Sequence, residues 1–594
     1  MPESPSRPSS SLPVRLAFYG LAIGLALIHV FLTFRGLSSA EGMEQAQLAR
    51  ELARTGQYQT KVIRPYAWAQ LEQAGKVVDV QAMPEITQPP LQALVLTPIF
   101  KLLHRHEAYR PGKDGGIYLL DRVIACVGAA GLLLTLLWTH GAARRLFDET
   151  VADVAVLCLT LSQPLWDLAV SGSPVALLLP LCALAFRLHV SLAQAYQEGR
   201  PILLHLLGLG VIGVMLVMTH WMAVWLVAGL AIAVAVALPR NRMRCLVVVA
   251  LPVLALVAWG VWMAQRCGDP LGGAKILFQA HLLDRDWQTL HRQFSVGMPP
   301  IILDAVARKV GHNWQEQLGA IYAHVGYCVP ALFFLVALLH RFRRVEANAL
   351  RVGVGLIALV LLLAMGLSGV PEGPGSDAAL YPVLVPAMAV FGAAMLAILW
   401  GRFHPVQSTV WSRLGYAIIA VGVTCLPMLA NLPAHLKAGL TMQGKFFPHW
   451  PPYLPERVAV LPRLLEPNEV VFTDAPWFVA WYADTPAVWL PVQRADLGLM
   501  TTRIEAQGSR VGGVVVTPVS ARVNYLSDAF NGSYKEWPDL IFRGPMLAFD
   551  RNFPARDDFP YKVPVPLVAI PVGDSETLSL LMTLYTDRLR TVKD

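Results

Sequence analysis

The stretch EGMEQAQLARELARTGQYQTK, residues 41–61, and the hexapeptide ITQPPL, residues 86–91, decide how this chain is read. Both lie in a polar segment that directly follows the first long apolar run, residues 16–34. An acid sits just past the bilayer edge. A helix-periodic stretch follows, with Met43, Ala46, Leu48, Ala49, Leu52 and Ala53 on one face and Glu44, Gln45, Gln47, Arg50 and Glu51 on the other. Gly56 is placed to stop that helix. The reading is an interfacial amphipathic helix that fixes the depth of Glu41. Gln88-Pro89-Pro90-Leu91 makes a rigid turn, because proline fixes its own φ and disfavours helix in the residue before it.

Outward from this segment, the composition is that of a membrane protein. Of 594 residues, 55% are hydrophobic and only 15% are charged, and apolar runs recur along the chain. About 20 apolar residues cross a bilayer. Spans are expected at 13–34, 117–139, 150–166, 174–192, 201–219, 221–238, 245–264, 319–339, 350–369, 378–400 and 411–430, about eleven in all. The run 91–103 contains Pro98 and is too short to cross, so it reads as a re-entrant or juxtamembrane helix. Arg144 and Arg145, Arg187 and Arg200, the run PRNRMR at 239–244, HRFRR at 340–344, and Arg402 and Arg413 then share one side. Basic loops mark the cytoplasm, which puts the N-terminus inside and residues 36–116, 266–318 and everything after 431 outside.

The net charge of +8 is thus explained by topology, and no basic run interleaved with aromatics suggests nucleic acid. Six of seven cysteines (Cys126, Cys158, Cys182, Cys245, Cys328, Cys425) lie in apolar runs without CxxC spacing, as buried small residues do. No phosphate loop, zincin, hydrolase or dinucleotide motif occurs, and no cluster argues for a tightly held metal.

Residues 431–455 read as an aromatic, proline-rich interfacial linker and 456–594 as an extracytoplasmic α/β domain. Within that domain NEVVFTD, PAVWLP and RVGGVVVTP are apolar throughout, with PWFVAWYAD between the first two, which indicates a covered, mostly parallel sheet.

Glu41 can act as a general base on an acceptor hydroxyl or simply begin a helix, where an acid is favoured. Arg122, early in the second span, either pairs with Asp121 or contacts a lipid phosphate. Cations in the second outer loop, Arg292 among them, suit an anionic ligand or a solvated surface.

The order of a span, an acid, AQLARELARTG (46–56), QPPL (88–91), a short helix and a span bearing an early Arg122 resembles the GT-C glycosyltransferases. Within them the likeness is to the group of protein O-mannosyltransferases and the lipid A aminoarabinose transferase. Weaker similarity runs through ARRLFD (143–148) and LYPVLVP (380–386). The resemblance implies an inverting transferase that moves a sugar from a polyprenyl-phosphate donor to an extracytoplasmic acceptor, in a bacterial inner membrane. Glu41 and Asp167 would be the catalytic acids, with Arg64, Gln88, Pro89, Pro90, Arg122 and Arg292 at the donor. No firm cofactor is implied. The family usually has Asp, often Asp-Glu, where this chain has Glu41-Gly42, a Lys where it has Gln88, and an Arg where it has Leu380. The second acid is absent from its usual place, and Asp167 is the nearest candidate. Those lost charges leave open a non-enzymatic carrier or envelope-assembly protein on the same scaffold. A lipid-linked oligosaccharide ligase or polymerase also remains open.

Overall fold

A computed structural model describes residues 12–103, 117–240, 242–276, 287–297, 301–368, 380–403, 409–441, 455–517, 519–520, 530, 532, 534–547, 559–571 and 578–590. The linker expected at 431–455 lies largely outside the described residues. The chain forms two compact units. One contains Met1–Leu37, Asp121–Leu256 and Val310–Gln443, and the other Ser38–Leu120, Val257–Lys309 and Gly444–Asp594. The two outer loops therefore belong to the same unit as the tail.

The first unit is helical. Among the described residues of the whole chain, six helices are long and apolar enough to cross a membrane, seven if one bent pair counts as a span. About eleven crossings were expected, and the difference has identifiable sources. The helices Leu203–Thr219 and Ala223–Ala237 are apolar but short. The expected span at 319–339 is divided between Ile321–His324 and Val329–Ala337. The first span divides into α1 (Leu12–Leu27) and one π-helical turn, Ile28–Thr33.

After the long helix α5 (Leu119–Leu146), Asp148 caps α6 (Glu149–Thr160) by accepting from Val151 N at 3.0 Å, which gives the ARRLFD motif a helix-starting role. A bend of 59° separates α6 from α7 (Gln163–Val170). Close packing fixes α7: a Cβ on Gly128 of α5 would sit 1.8 Å from the Ala169 carbonyl oxygen. Small residues at such crossings let membrane helices approach backbone to backbone. Gly392 does the same against the Pro330 carbonyl, at 1.6 Å.

The second unit is built on a six-stranded sheet. Its strands are β2 (Val62–Ile63), β4 (Glu469–Thr473), β5 (Ala487–Trp489), β6 (Arg510–Val516), β7 (Val563–Pro571) and β8 (Leu578–Thr586), in the order β2-β5-β4-β6-β8-β7. A separate pair joins β1 (Gln59–Thr60) to β3 (Met83–Pro84). Strands β2, β5, β4 and β6 run parallel, and β8 and β7 are added antiparallel. The three apolar stretches read from the tail are thus strands, all buried along β4 and β5. The edge strand β2 comes from the first outer loop, more than four hundred residues earlier in the chain.

One core serves this sheet. Ile63, Trp68 and Leu71 from the first loop pack with Phe472, Val488, Met500 and Trp537 of the tail. Met263 and Cys267, at the end of the helix Leu246–Cys267, join the same cluster.

Candidate functional site

Helix α2 (Ala40–Thr55) starts where Ser39 accepts from Gly42 N at 2.9 Å, and it ends at Gly56, whose φ of 72° few other residues adopt. Glu41 occupies its first turn and is half-buried. The helix is not a surface amphipath. Its polar face is as buried as its apolar one: Glu44, Gln45, Gln47, Arg50 and Glu51 are each 5% exposed or less.

Those polar groups are buried because each meets a partner in the same unit. Glu44 accepts from Arg64 Nη2 at 2.5 Å and from Gln88 Nε2 at 2.7 Å. Gln45 Nε2 donates to the Pro89 carbonyl at 3.0 Å. Arg50 donates to the Trp481 and Ala480 carbonyls, both at 2.7 Å, and lies 3.1 Å from an Asp484 oxygen. It thereby satisfies the carbonyl end of the helix Pro476–Tyr482 with a cation, which the helix dipole favours. Lys61 and Arg54 also contact Asp484, and Lys61 lies 3.3 Å from Glu51. Burial pushes the Asp484 carboxyl up, but Arg50, Lys61 and Arg54 together hold it well below the usual carboxylate range.

The Pro-Pro turn is held from two sides. Glu85, 2% exposed, accepts from Thr87 N and Gln88 N at 2.5 and 2.9 Å. Its other oxygen lies 4.0 Å from Arg64 Nη1. Tyr58 donates its hydroxyl to the Gln88 carbonyl at 3.1 Å. Burial raises the Glu85 pKa, and Arg64 partly offsets this. For Arg64, burial opposes the charge, and Glu44 with Glu85 more than restores it, so it stays firmly cationic. The charge of Glu41 also acts on Arg64. Glu44, Arg64 and Glu85 thus form a buried acid–base–acid lock between α2 and the turn. Pro90 then launches α4 (Leu91–Leu102), the short helix expected after the turn.

The predicted site residues divide between the two units. Glu41, Arg64, Gln88, Pro89 and Pro90 come together within the loop-and-tail unit. In that arrangement the Arg64 and Gln88 side chains are engaged by Glu44. Arg292 belongs to the same unit and is fully buried. Its guanidinium donates to the Leu490 and Pro491 carbonyls at 2.6 and 3.3 Å and stacks 3.6 Å over Tyr534, which fastens the second loop to the tail. Arg122 and Asp167 belong to the helical unit. Arg122 lies 5.5 Å over the Phe31 ring, its Nε buried without a hydrogen bond, and Arg35 shares its surroundings. Asp167 is exposed on α7 and accepts from Gln163 Nε2 at 2.6 Å.

Sequence reasoning missed Glu44, Glu85 and Tyr58. The available signal was Glu44 three residues after Glu41, one helical turn along the same side. No group of three or more metal-ligating side chains occurs among the described residues.

With this geometry the chain overlays known membrane proteins. The oligosaccharyltransferase of Archaeoglobus fulgidus tethered to an acceptor peptide matches with a TM-score of 0.54 and 10% identity, over 88% of this chain and 71% of that one. The fold is GT-C. The archaeal oligosaccharyltransferase AglB with an inhibitory peptide and a dolichol-phosphate gives a TM-score of 0.51 and 11% identity, over 89% and 72%. ArnT from Cupriavidus metallidurans bound to undecaprenyl phosphate gives 0.50 and 16%, over 87% and 95%. No protein-family model and no curated protein matches the chain. At these identities the GT-C likeness is one of fold, and the chemistry has to be argued from this chain's own residues.

Proposed function

We propose that this GT-C protein is an inverting glycosyltransferase that uses a polyprenyl-phosphate-linked sugar and an extracytoplasmic acceptor. The single observation that carries the reading is the lock around Glu41. A GT-C chain that buries Glu44, Arg64 and Glu85 to fix one acid-bearing helix against a Pro-Pro turn has stiffened a carboxylate at a defined place. Preorganisation of that kind is what a general base needs. The structural neighbours with bound dolichol-phosphate and undecaprenyl phosphate are consistent with the donor class.

In the proposed reaction the Glu41 carboxylate takes the proton of an acceptor hydroxyl as its oxygen attacks the anomeric carbon. The bond from that carbon to the phosphate oxygen breaks, and polyprenyl phosphate leaves with one more negative charge. Arg122, with Arg35 in the same surroundings, is suited to that phosphate: its Nε is buried without a hydrogen bond. Asp167 is the second acid. Arg64, Gln88, Pro89 and Pro90 shape the donor pocket by holding the turn, and Arg292 does so by fastening the second loop. The topology proposed with this reading has about eleven crossings, with a cytoplasmic N-terminus and a tail outside a bacterial inner membrane.

Glu41→Gln keeps the size of the side chain and removes the base. Full-length protein in lipid nanodiscs, given polyprenyl-phosphate-linked sugars, should lose at least a hundredfold in transfer with an unchanged melting temperature. Transfer at the wild-type rate would overturn the assignment.

A further inference from the structure

In the tail, the helix Pro538–Met546 packs against strand β8 of the loop-and-tail sheet. Trp537, just before it, and its Leu540 and Ile541 belong to the core of that sheet. Three residues beyond Leu540 the same stripe reaches Arg543, a charge where the helical period calls for an apolar side chain. Arg543 is 9% exposed, and its Nε and Nη1 are both buried without a hydrogen-bond partner. The carbon of its guanidinium lies 5.4 Å from the centroid of the Tyr585 ring on β8.

An unpaired buried cation is expensive, so each available counter-charge has to be accounted for. The first is Asp539, one helical turn earlier, where an acid ordinarily pairs with an arginine four residues on. Asp539 is taken: it accepts from Arg494 Nη2 at 2.5 Å. The second is Tyr585. Burial pushes its hydroxyl up to about 12, so at neutral pH it keeps its proton and offers a ring face, not a charge. The third is the carbonyl end of the helix itself. Its dipole favours a cation in the last turn, yet Nε and Nη1 find no acceptor there. Among the described residues, burial opposes the Arg543 charge and only Tyr585 acts to keep it. The guanidinium still carries its proton at neutral pH.

We propose that Arg543 anchors an oxyanion-binding site in the tail, which takes one carboxylate or phosphate group. Such groups present paired oxygens to the planar guanidinium. The bound group supplies the acceptor that Nε and Nη1 lack and the counter-charge that Asp539 gives to Arg494 instead. Because 9% of the residue still reaches the surface, a small anion has an approach. The proposed transfer uses none of these residues, so the site stands or falls independently of that reading.

A neutral occupant, a water or a sugar hydroxyl, would give Nε and Nη1 an acceptor and leave the charge unbalanced. The charge is what selects an anion. The same imbalance sets the sign of a substitution. Removing the cation relieves a cost in the empty protein, so Arg543→Met should melt at or above the wild type without ligand. An arginine that only packs on Tyr585 would give the opposite sign.

The test follows thermal unfolding of the full-length protein in phosphatidylcholine nanodiscs at neutral pH. Sodium phosphate and sodium acetate are titrated separately, each against sodium chloride of equal ionic strength. A dissolved oxyanion should raise the wild-type melting temperature beyond the chloride control, as a ligand that binds only the folded state does. Arg543→Met should lose that rise. Arg543→Lys, which keeps the charge and loses the planar donors, should retain a weaker one. Nanodiscs containing phosphatidic acid, with no added phosphate or acetate, separate the sources. A rise there that Arg543→Met removes assigns the group to a lipid headgroup, and a rise with the dissolved anions alone assigns it to a soluble ligand. The proposal is overturned if neither source raises the wild-type melting temperature, or if Arg543→Met responds as the wild type does. It is also overturned if Arg543→Met fails to fold or melts below the wild type before any anion is added.

Discussion

Helix α2 buries Glu44, Arg50 and Glu51 and gives each a counter-charge within its own unit: Arg64, Asp484 and Lys61. Helix α7 buries Gln163 and leaves its carbonyl oxygen without a hydrogen bond. Both helices present an acid, Glu41 from the first turn of α2 and Asp167 from the middle of α7. The acid on α2 is placed by charges that are already balanced. The acid on α7 is placed by one hydrogen bond from the neutral amide of Gln163. The contrast separates two ways of fixing a carboxylate: a lock of paired charges, and a single hydrogen bond from a neutral amide.

The hardest test of the permanent lock is Arg64→Met. It leaves Glu44 and Glu85 buried without their counter-charge, and breaking a buried pair in this way costs about 3–5 kcal/mol. Thermal unfolding of the full-length protein should show the loss. Adding Glu44→Gln should recover part of it, because the two sites share one network. An Arg64→Met protein that melts with the wild type would mean that the lock contributes no stability, and the contrast with α7 would collapse.

The equivalent test for α7 is steric. Gly128→Val puts a side chain where a Cβ already meets the Ala169 carbonyl oxygen at 1.8 Å. Overpacking of this kind costs about 1–3 kcal/mol. It should displace α7, so transfer should fall sharply while proteolysis of the loop-and-tail unit keeps its wild-type pattern. Equal damage to both units would show that the helical unit does not respond on its own.

What could be read from the sequence depended on the distance to the partner. The Gly56 stop, the QPPL turn and its short helix, and the apolar strands β4, β5 and β6 are local patterns, and all are present. The polar face of α2 pointed to solvent because its partners are far away in the chain. Arg50 meets Ala480 and Trp481 at separations of 430 and 431 residues. The same holds for β2, two residues long, which becomes a strand only because β5 lies beside it. Asp167 stood out as the nearest acid to an expected position. Arg543 had no comparable signal, since nothing local in the sequence announces that Arg494 has taken the acid one turn before it.

A smaller effect is expected at Asp484, because its side chain is 37% exposed and solvent screens its ion pairs. Its pKa in the folded protein is held below that of the unfolded chain, about 3.9 for an ordinary Asp. The stabilisation from Arg50, Lys61 and Arg54 is therefore fully present above that ordinary value. It is lost as pH falls from there through the depressed folded value. Asp484→Asn should be less stable than the wild type at neutral pH, and the two should converge under strongly acidic conditions. A constant gap across that range would assign the difference to packing and remove Asp484 from the balanced charges of α2.

The smallest effect is expected where the placement of Glu41 begins. Ser39 is fully buried and accepts from Gly42 N, so Ser39→Ala leaves a first-turn N–H without its partner, at a cost of about 1 kcal/mol. The global fold tolerates that loss, because Arg64 and Arg50 still anchor the helix further along. Glu41, two residues from the cap, is ahead of both anchors and depends on the first turn for its orientation. Ser39→Ala should therefore lower the transfer rate more than it lowers the melting temperature, and Ser39→Asp, which restores an accepting oxygen, should recover the rate. Were the two to fall together and neither variant to separate them, the acid on α2 would be placed by the lock alone, and the cap would be an ordinary helix start.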